Sequence, residues 1–167
     1  MLFRSPFEGH HDVVGGDVSM HDLERAALVI DGVVGDYLCA KFGDLKANPL
    51  TIRIEKNRLV SAESPNRELR DDFWAYTHTD ENSDRVGEFA IGTNIELKDV
   101  IGEILQDEKY PGVHIAFGNP YGEHTGAQWY SCTHIDVVGR NFDIWIDGRQ
   151  IMRGGAFLLD SLTPPEV

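Results

Sequence analysis

Gly87-Glu88-Phe89-Ala90-Ile91-Gly92-Thr93-Asn94, Val113-His114-Ile115-Ala116-Phe117-Gly118 and Thr133-His134-Ile135-Asp136-Val137-Val138 are the segments on which the reading of this chain turns. Each has the short apolar character of a β-strand or a strand end. Each also carries a metal-ligating side chain: Glu88, His114, and the pair His134/Asp136. Alternate residues of a strand point to the same side, so His134 and Asp136 reach toward one ion. Two imidazoles with carboxylates suit zinc, manganese or ferrous iron better than calcium or magnesium.

Taken together, the Gly-Glu-Phe-Ala-Ile-Gly-Thr-Asn run, the His-Ile-Ala-Phe-Gly strand followed by Tyr121, and the His-x-Asp pair resemble the C-terminal half of the aminopeptidase T family of metallopeptidases. The resemblance runs from Gly15 to Phe157, and the chain looks like a truncated relative without the family's separate N-terminal domain. It implies two metal ions bridged by carboxylates, zinc, manganese or cobalt. Dihydroxypyridine ring-opening dioxygenases are distant relatives and would imply one ferrous iron instead; a relic site would hold no metal. By resemblance Glu88 is a bridging ligand and catalytic, and His114, His134 and Asp136 are terminal or bridging ligands. Tyr121 would be catalytic, donating its hydroxyl to a developing oxyanion. Gly16-Asp17-Val18 stands where the family pattern is Gly-Glu-Val, so Asp17 is either a ligand one methylene short or a turn residue.

The rest of the sequence bounds this reading. At 167 residues the chain is long enough for one domain with a buried core. Residues 1–14 read as a flexible or docking arm, 15–160 as one domain, and 161–167 as a Pro-rich tail. His10-His11-Asp12 lies on that arm, where adjacent residues usually face solvent. No apolar run approaches the ~20 residues that span a bilayer, and the start lacks the basic and apolar regions of a signal peptide. Cys39 and Cys132 read as reduced, partly buried thiols of a cytoplasmic protein. The formal net charge of −13, from 28 acidic and 15 basic residues, repels nucleic acid and anionic membranes. It attracts cations and basic peptides, or serves solubility alone.

Periodicity predicts many short strands. Residues 26–34 are β-rich with a turn at Asp31-Gly32, and 36–42 read as a further strand. Residues 49–54 and 58–62 alternate around Glu55-Lys56-Asn57 as a hairpin. Ser64-Pro65 predicts a helix start, with Ser64 as N-cap and Leu69, Phe73 and Tyr76 on one face. Residues 95–109 predict the clearest helix, with Leu97, Val100, Ile101, Ile104 and Leu105 as its apolar stripe and Glu103 and Glu108 facing out. Residues 141–146 and 149–153 predict a hairpin across Asp147-Gly148. The expected class is α+β: a β-rich, mostly antiparallel curled sheet or partial barrel with about two helices packed on it.

Asn119 to Gln128 is a polar, Gly-rich loop of the kind that rims a site, and Asn119, Tyr121, Glu123 and His124 are its candidate substrate-binding residues. Two functions from different classes follow. The leading expectation is a non-catalytic or weakly catalytic peptide-binding domain, using the ancestral cleft or a sheet edge, as in an accessory protein of peptide natural-product maturation. The alternative is a metal-dependent aminopeptidase with a two-metal site, or a ferrous-iron dioxygenase. An open sheet edge also leads us to expect a homodimer.

Overall fold

The computed structural model describes residues 2–4, 25–125, 127–146 and 149–158; for 2–4, 25, 124 and 125 it describes backbone alone. Asp17, His10, His11, Asp12 and the Pro-rich tail lie outside the described residues. The strands are β1 (Leu2–Arg4), β2 (Arg25–Ile30), β3 (Val33–Val34), β4 (Leu50–Glu55), β5 (Arg58–Glu63), β6 (Val86–Gly92), β7 (Gly112–Gly118), β8 (His134–Val138), β9 (Asp143–Ile146), β10 (Arg149–Arg153) and β11 (Ala156–Phe157). The helices are α1 (Asp36–Phe42), α2 (Arg67–Tyr76) and two single turns, α3 (Ile104–Asp107) and α4 (Gly122–Thr125).

The strands form three open antiparallel sheets, ordered β1-β9-β10-β11, β2-β4-β5 and β3-β8-β7-β6. This is the expected α+β class, and none of the three sheets closes into a barrel. One core joins them. Ile30, Ile52, Ile54, Ile115, Phe117, Val137, Ile144 and Met152 belong to a single buried cluster. α2 adds Leu69 and Phe73 to it, and the Phe73 ring meets Phe117 edge-on at 6.1 Å.

Local chemistry explains where the elements begin and end. Lys56 and Asn57 take left-handed backbone angles, φ 50° and 63°, and so make the tight turn between β4 and β5. β4 alternates buried and exposed residues along its whole length, as the sequence predicts. The predicted hairpin of β9 and β10 is also present. Among the described residues, no helix is long and apolar enough to cross a membrane.

Three expectations are corrected. Residues 36–42 are helical, not extended. Leu38 and Cys39 are buried on one side of α1 and Phe42 packs beside the core, an i, i+1, i+4 spacing that fits a helix and not a strand. α2 starts two residues later than predicted, because Asn66 and not Ser64 caps it by accepting the Leu69 N–H at 3.2 Å. The Ser64 hydroxyl accepts the Asn66 N–H instead.

The third correction concerns residues 95–109, of which only α3 is helical. The Asp107 carboxylate accepts the N–H groups of Ile101, Gly102 and Glu103 at 2.8, 2.8 and 3.0 Å. Gly102 sits at φ 88°, outside helical space. These side-chain bonds satisfy the backbone without a helix. The apolar stripe is divided accordingly. Val100 and Ile104 are buried against Val33, Cys39 and Val138, whereas Ile101 is 66% exposed and Leu105 72%. Arg140, itself buried, ties this connection down. Its guanidinium donates to Asp99 at 3.1 Å, to both carboxylate oxygens of Asp44, and to the Asp31 carbonyl.

Candidate metal centre

The register of β6, β7 and β8 builds the site. Ala116 stands opposite Glu88 on one side and Asp136 on the other. His114 stands opposite Ala90 and Val138, and Gly118 opposite His134. Because strand residues alternate faces, Glu88, His114, His134 and Asp136 share one face, with Ala90, Ala116 and Gly118 between them. Ile115, Phe117, Ile135 and Val137 take the other face and enter the core. Small residues thus form the floor of a polar patch whose underside is apolar.

Two glycines set this geometry. Between Val86 and Glu88 the pairing with β7 shifts by one residue, so Gly87 is the extra residue of a bulge. A Cβ on Gly87 would collide with the Gly118 carbonyl. Gly118, at φ 96°, turns the end of β7 where a Cβ would strike the Thr133 carbonyl beside His134. The Gly-Glu pair of the sequence therefore works as a unit: the bulge at Gly87 sets the face on which Glu88 emerges.

The four predicted ligands converge. His114 Nε2 lies 3.1 Å from Glu88 Oε1, His134 Nε2 lies 4.0 Å from Glu88 Oε2, and His134 Nε2 lies 3.6 Å from Asp136 Oδ1. Glu88, His134 and Asp136 place ligand atoms within 4.8 Å of one another. So do Glu108, His114 and Asp136. The two groups share Asp136. A surface cleft of 300 Å³ is lined by Glu88 of the first group and by Glu108 and His114 of the second, with Ile91, Gly92, Thr93, Asn94 and Lys109.

Supporting residues hold these groups in place. His134 Nδ1 lies 2.8 Å from the Asn119 carbonyl. A carbonyl only accepts, so Nδ1 carries a proton and Nε2 is the nitrogen that faces the carboxylates, the one that would bind a metal on losing its own proton. Burial opposes a charge on His134, but the Asp136 carboxylate, the Asn119 carbonyl and Glu88 outweigh it and raise its pKa above the usual imidazole value. The Asn119 side chain accepts the Tyr121 N–H at 3.0 Å. Tyr121 adopts φ 49°, and its ring centroid stands 4.8 Å from that of His134. Asp80 anchors the approach to β8, accepting the Cys132 N–H at 2.7 Å and the Ser131 hydroxyl at 3.0 Å.

The donor set fits divalent transition metals: two imidazoles, three carboxylates and no thiolate. His114 turns its Nε2 to Glu88, while its Nδ1 is buried with no hydrogen-bond partner among the described residues, so the ring lacks the second bond that usually orients a ligand histidine. The three carboxylates bring negative charge that a bound dication would balance, beside Lys109, whose ammonium lies 3.7 Å from Glu108.

The other expected site residues fare differently. Asn119 positions His134 and Tyr121 through its carbonyl and side chain. Glu123 is exposed on α4 and belongs to neither ligand group. The His124 side chain lies outside the described residues, as does Asp17. Glu108 is the residue that sequence reasoning missed, because the predicted helix placed it facing outward. The signal for it was position: an acid just before Tyr110-Pro111-Gly112, the breaker that leads into the His114 strand. Of the two thiols, Cys39 is buried as expected and Cys132 is exposed.

No family model and no curated protein matches the chain. Two solved structures share its fold. One is 2,5-dihydroxypyridine dioxygenase from Pseudomonas putida, with a TM-score of 0.60 and 18% identity over 80% of this chain and 40% of that one. The other is AmpT from Thermus thermophilus, with a TM-score of 0.53 and 20% identity over 81% of this chain and 39% of that one. This chain spans about two-fifths of the length of each. At these identities the likeness is one of fold, the α+β fold of a dioxygenase and of an aminopeptidase T.

Proposed function

We propose that the cleft holds divalent transition-metal ions and that the domain hydrolyses peptides there, in the manner of an aminopeptidase. The observation that carries this reading is the sharing of Asp136 by two ligand groups, Glu88/His134 on one side and Glu108/His114 on the other. A shared carboxylate with separate terminal ligands is what a pair of metal ions requires. Such ions, zinc, manganese or cobalt, would supply Lewis acidity to a scissile carbonyl. The chain's own residues do the rest. Asn119 fixes the His134 ring, and the bulge at Gly87 directs Glu88. Tyr121, half exposed with its ring 4.8 Å from that of His134, would offer its hydroxyl to a substrate oxygen.

A second reading is a peptide-binding domain without turnover, of the accessory kind found in peptide maturation. The Glu88–His114 hydrogen bond favours it, since it uses ligand atoms that an ion would need. Elemental analysis of protein purified without chelator separates the readings, together with an aminoacyl-anilide assay after zinc, manganese or cobalt is restored. Two ions per chain and chelator-sensitive cleavage are expected. One iron would point to dioxygenase chemistry, and no metal with retained peptide affinity would replace hydrolysis with binding.

A further inference from the structure

β5 is an edge strand. It pairs with β4 on one side, and on the other Arg58 makes a single bridge to Arg85 while the Leu59 N–H donates to the Asp84 carbonyl at 2.8 Å. Past that point, among the described residues, no strand covers the outer edge of residues 60–63. An unpaired edge is a template for another strand unless something blunts it. Here a groove lies against the edge instead. It has a volume of 430 Å³ and runs between β5 and α2, with Val60, Ala62 and Glu63 on one wall and Arg70, Trp74 and Ala75 on the other.

The groove has distinct chemistry at its two walls. Val60 is 44% exposed and Trp74 38%, large apolar groups left toward solvent. The Trp74 indole stacks on His78 with ring centroids 4.0 Å apart, a contact that supports one face of the ring. Charges on α2 are mostly paired: Arg70 with Asp71, and Lys41 with both Glu68 and Asp72. Glu63 is exposed and makes no ion pair among the described residues. Arg70 faces Glu63 as well as Asp71, so the charged lining, two acids against one base, leaves a single net negative charge at the groove, on a chain whose net charge is −13.

We propose that this groove is a second binding site, separate from the metal centre, that takes an extended peptide segment carrying apolar and basic side chains. The peptide adds to the outer edge of β5 as a further strand. Main-chain hydrogen bonds along the edge supply affinity, an apolar or cationic side chain covers Trp74, and a lysine or arginine meets Glu63. Charge decides the occupant. A second copy of this chain would bring another −13 to the same edge, whereas a basic segment neutralises it.

The test is fluorescence anisotropy with a labelled short peptide of alternating valine and lysine, at physiological salt and with chelator present. Saturable binding in the micromolar range is expected. Methylating alternate backbone amides of the probe should weaken it at least about tenfold, as should Trp74→Ala. Replacing the lysines by glutamates should abolish it. Amide shifts should map to residues 60–63 and 74–75. Equal affinity for the methylated probe, or unchanged affinity in Trp74→Ala, overturns the proposal. A chelator-resistant dimer that excludes the probe also overturns it, because a second copy would then own the edge. The chelator keeps the metal centre out of the measurement, so loss of one site leaves the other unaffected.

Discussion

Glu88 on β6 and His114 on β7 meet at 3.1 Å although they are not cross-strand partners; Glu88 pairs with Ala116 and His114 with Ala90. The contact is diagonal and passes over the alanine row. It leaves Asp136 as the carboxylate within reach of both ligand groups. Asp136→Ala should therefore weaken metal binding more than Glu88→Ala or Glu108→Ala, by at least ~100-fold, and lower the number of ions held. Calorimetric zinc titration with elemental analysis measures both. Equal losses in the three variants would mean that no carboxylate is shared.

Much of this site is legible in the sequence because strand periodicity is simple. His134 and Asp136 are two apart, and His114, Ala116 and Gly118 continue the same face, so the pattern alone puts ligands on one side and Ile115 and Phe117 on the other. The β4–β5 hairpin is legible for the same reason. Helix periodicity misleads at 95–109, where the stripe is real but Asp107 satisfies the backbone by another route. That tertiary override also hid Glu108. Residues 36–42 fail because seven residues are too few for a period to stand out; the helical spacing of Leu38, Cys39 and Phe42 shows once α1 is seen packed on β3 and α2.

Asp107 holds the connection that carries Glu108, its neighbour in sequence. Its carboxylate is buried and accepts three backbone N–H groups. Asp107→Ala would leave those donors to find water, at a cost of about 2 kcal/mol. Urea unfolding should show that loss, and zinc affinity should fall with it through displacement of Glu108. A variant of wild-type stability would show that Arg140, Val100 and Ile104 hold the loop without Asp107.

Asp80 gives the fold a defined response to acid. Hydrogen bonds from the Cys132 thiol and backbone N–H, from the Asn82 N–H and from the Ser131 hydroxyl hold its carboxyl below the usual carboxylate range. A depressed folded pKa means that its stabilisation is present above the unfolded value, ~4, and is lost as pH falls below it. The wild type should therefore lose stability through this group on acidification. Asp80→Asn should start less stable at neutral pH and show a flatter acid limb. Melting curves across that range test it, and parallel acid limbs would assign the response to other carboxylates.

The last prediction concerns the floor of the site. Glu88 and Asp136 flank Ala116, one strand away on either side, so their Cβ atoms stand about two strand spacings apart, ~10 Å. Asp136 stands beside His134 on β8, so it is the Glu88 carboxylate that must lean inward across Ala116, a residue with no exposed surface, to join them. Ala116→Leu would put three further carbons into the space where the acids meet. Overpacking of this kind costs ~1–3 kcal/mol, and here part of it is relieved by pushing two polar side chains outward to solvent. The variant should fold with a modestly lowered melting temperature and lose at least about tenfold in metal affinity. Ala116→Ser, nearly the same size, should keep both. Zinc titration of the two variants decides the point: if Ala116→Leu binds like the wild type, the carboxylates do not converge over Ala116 and the two-group arrangement around Asp136 is wrong.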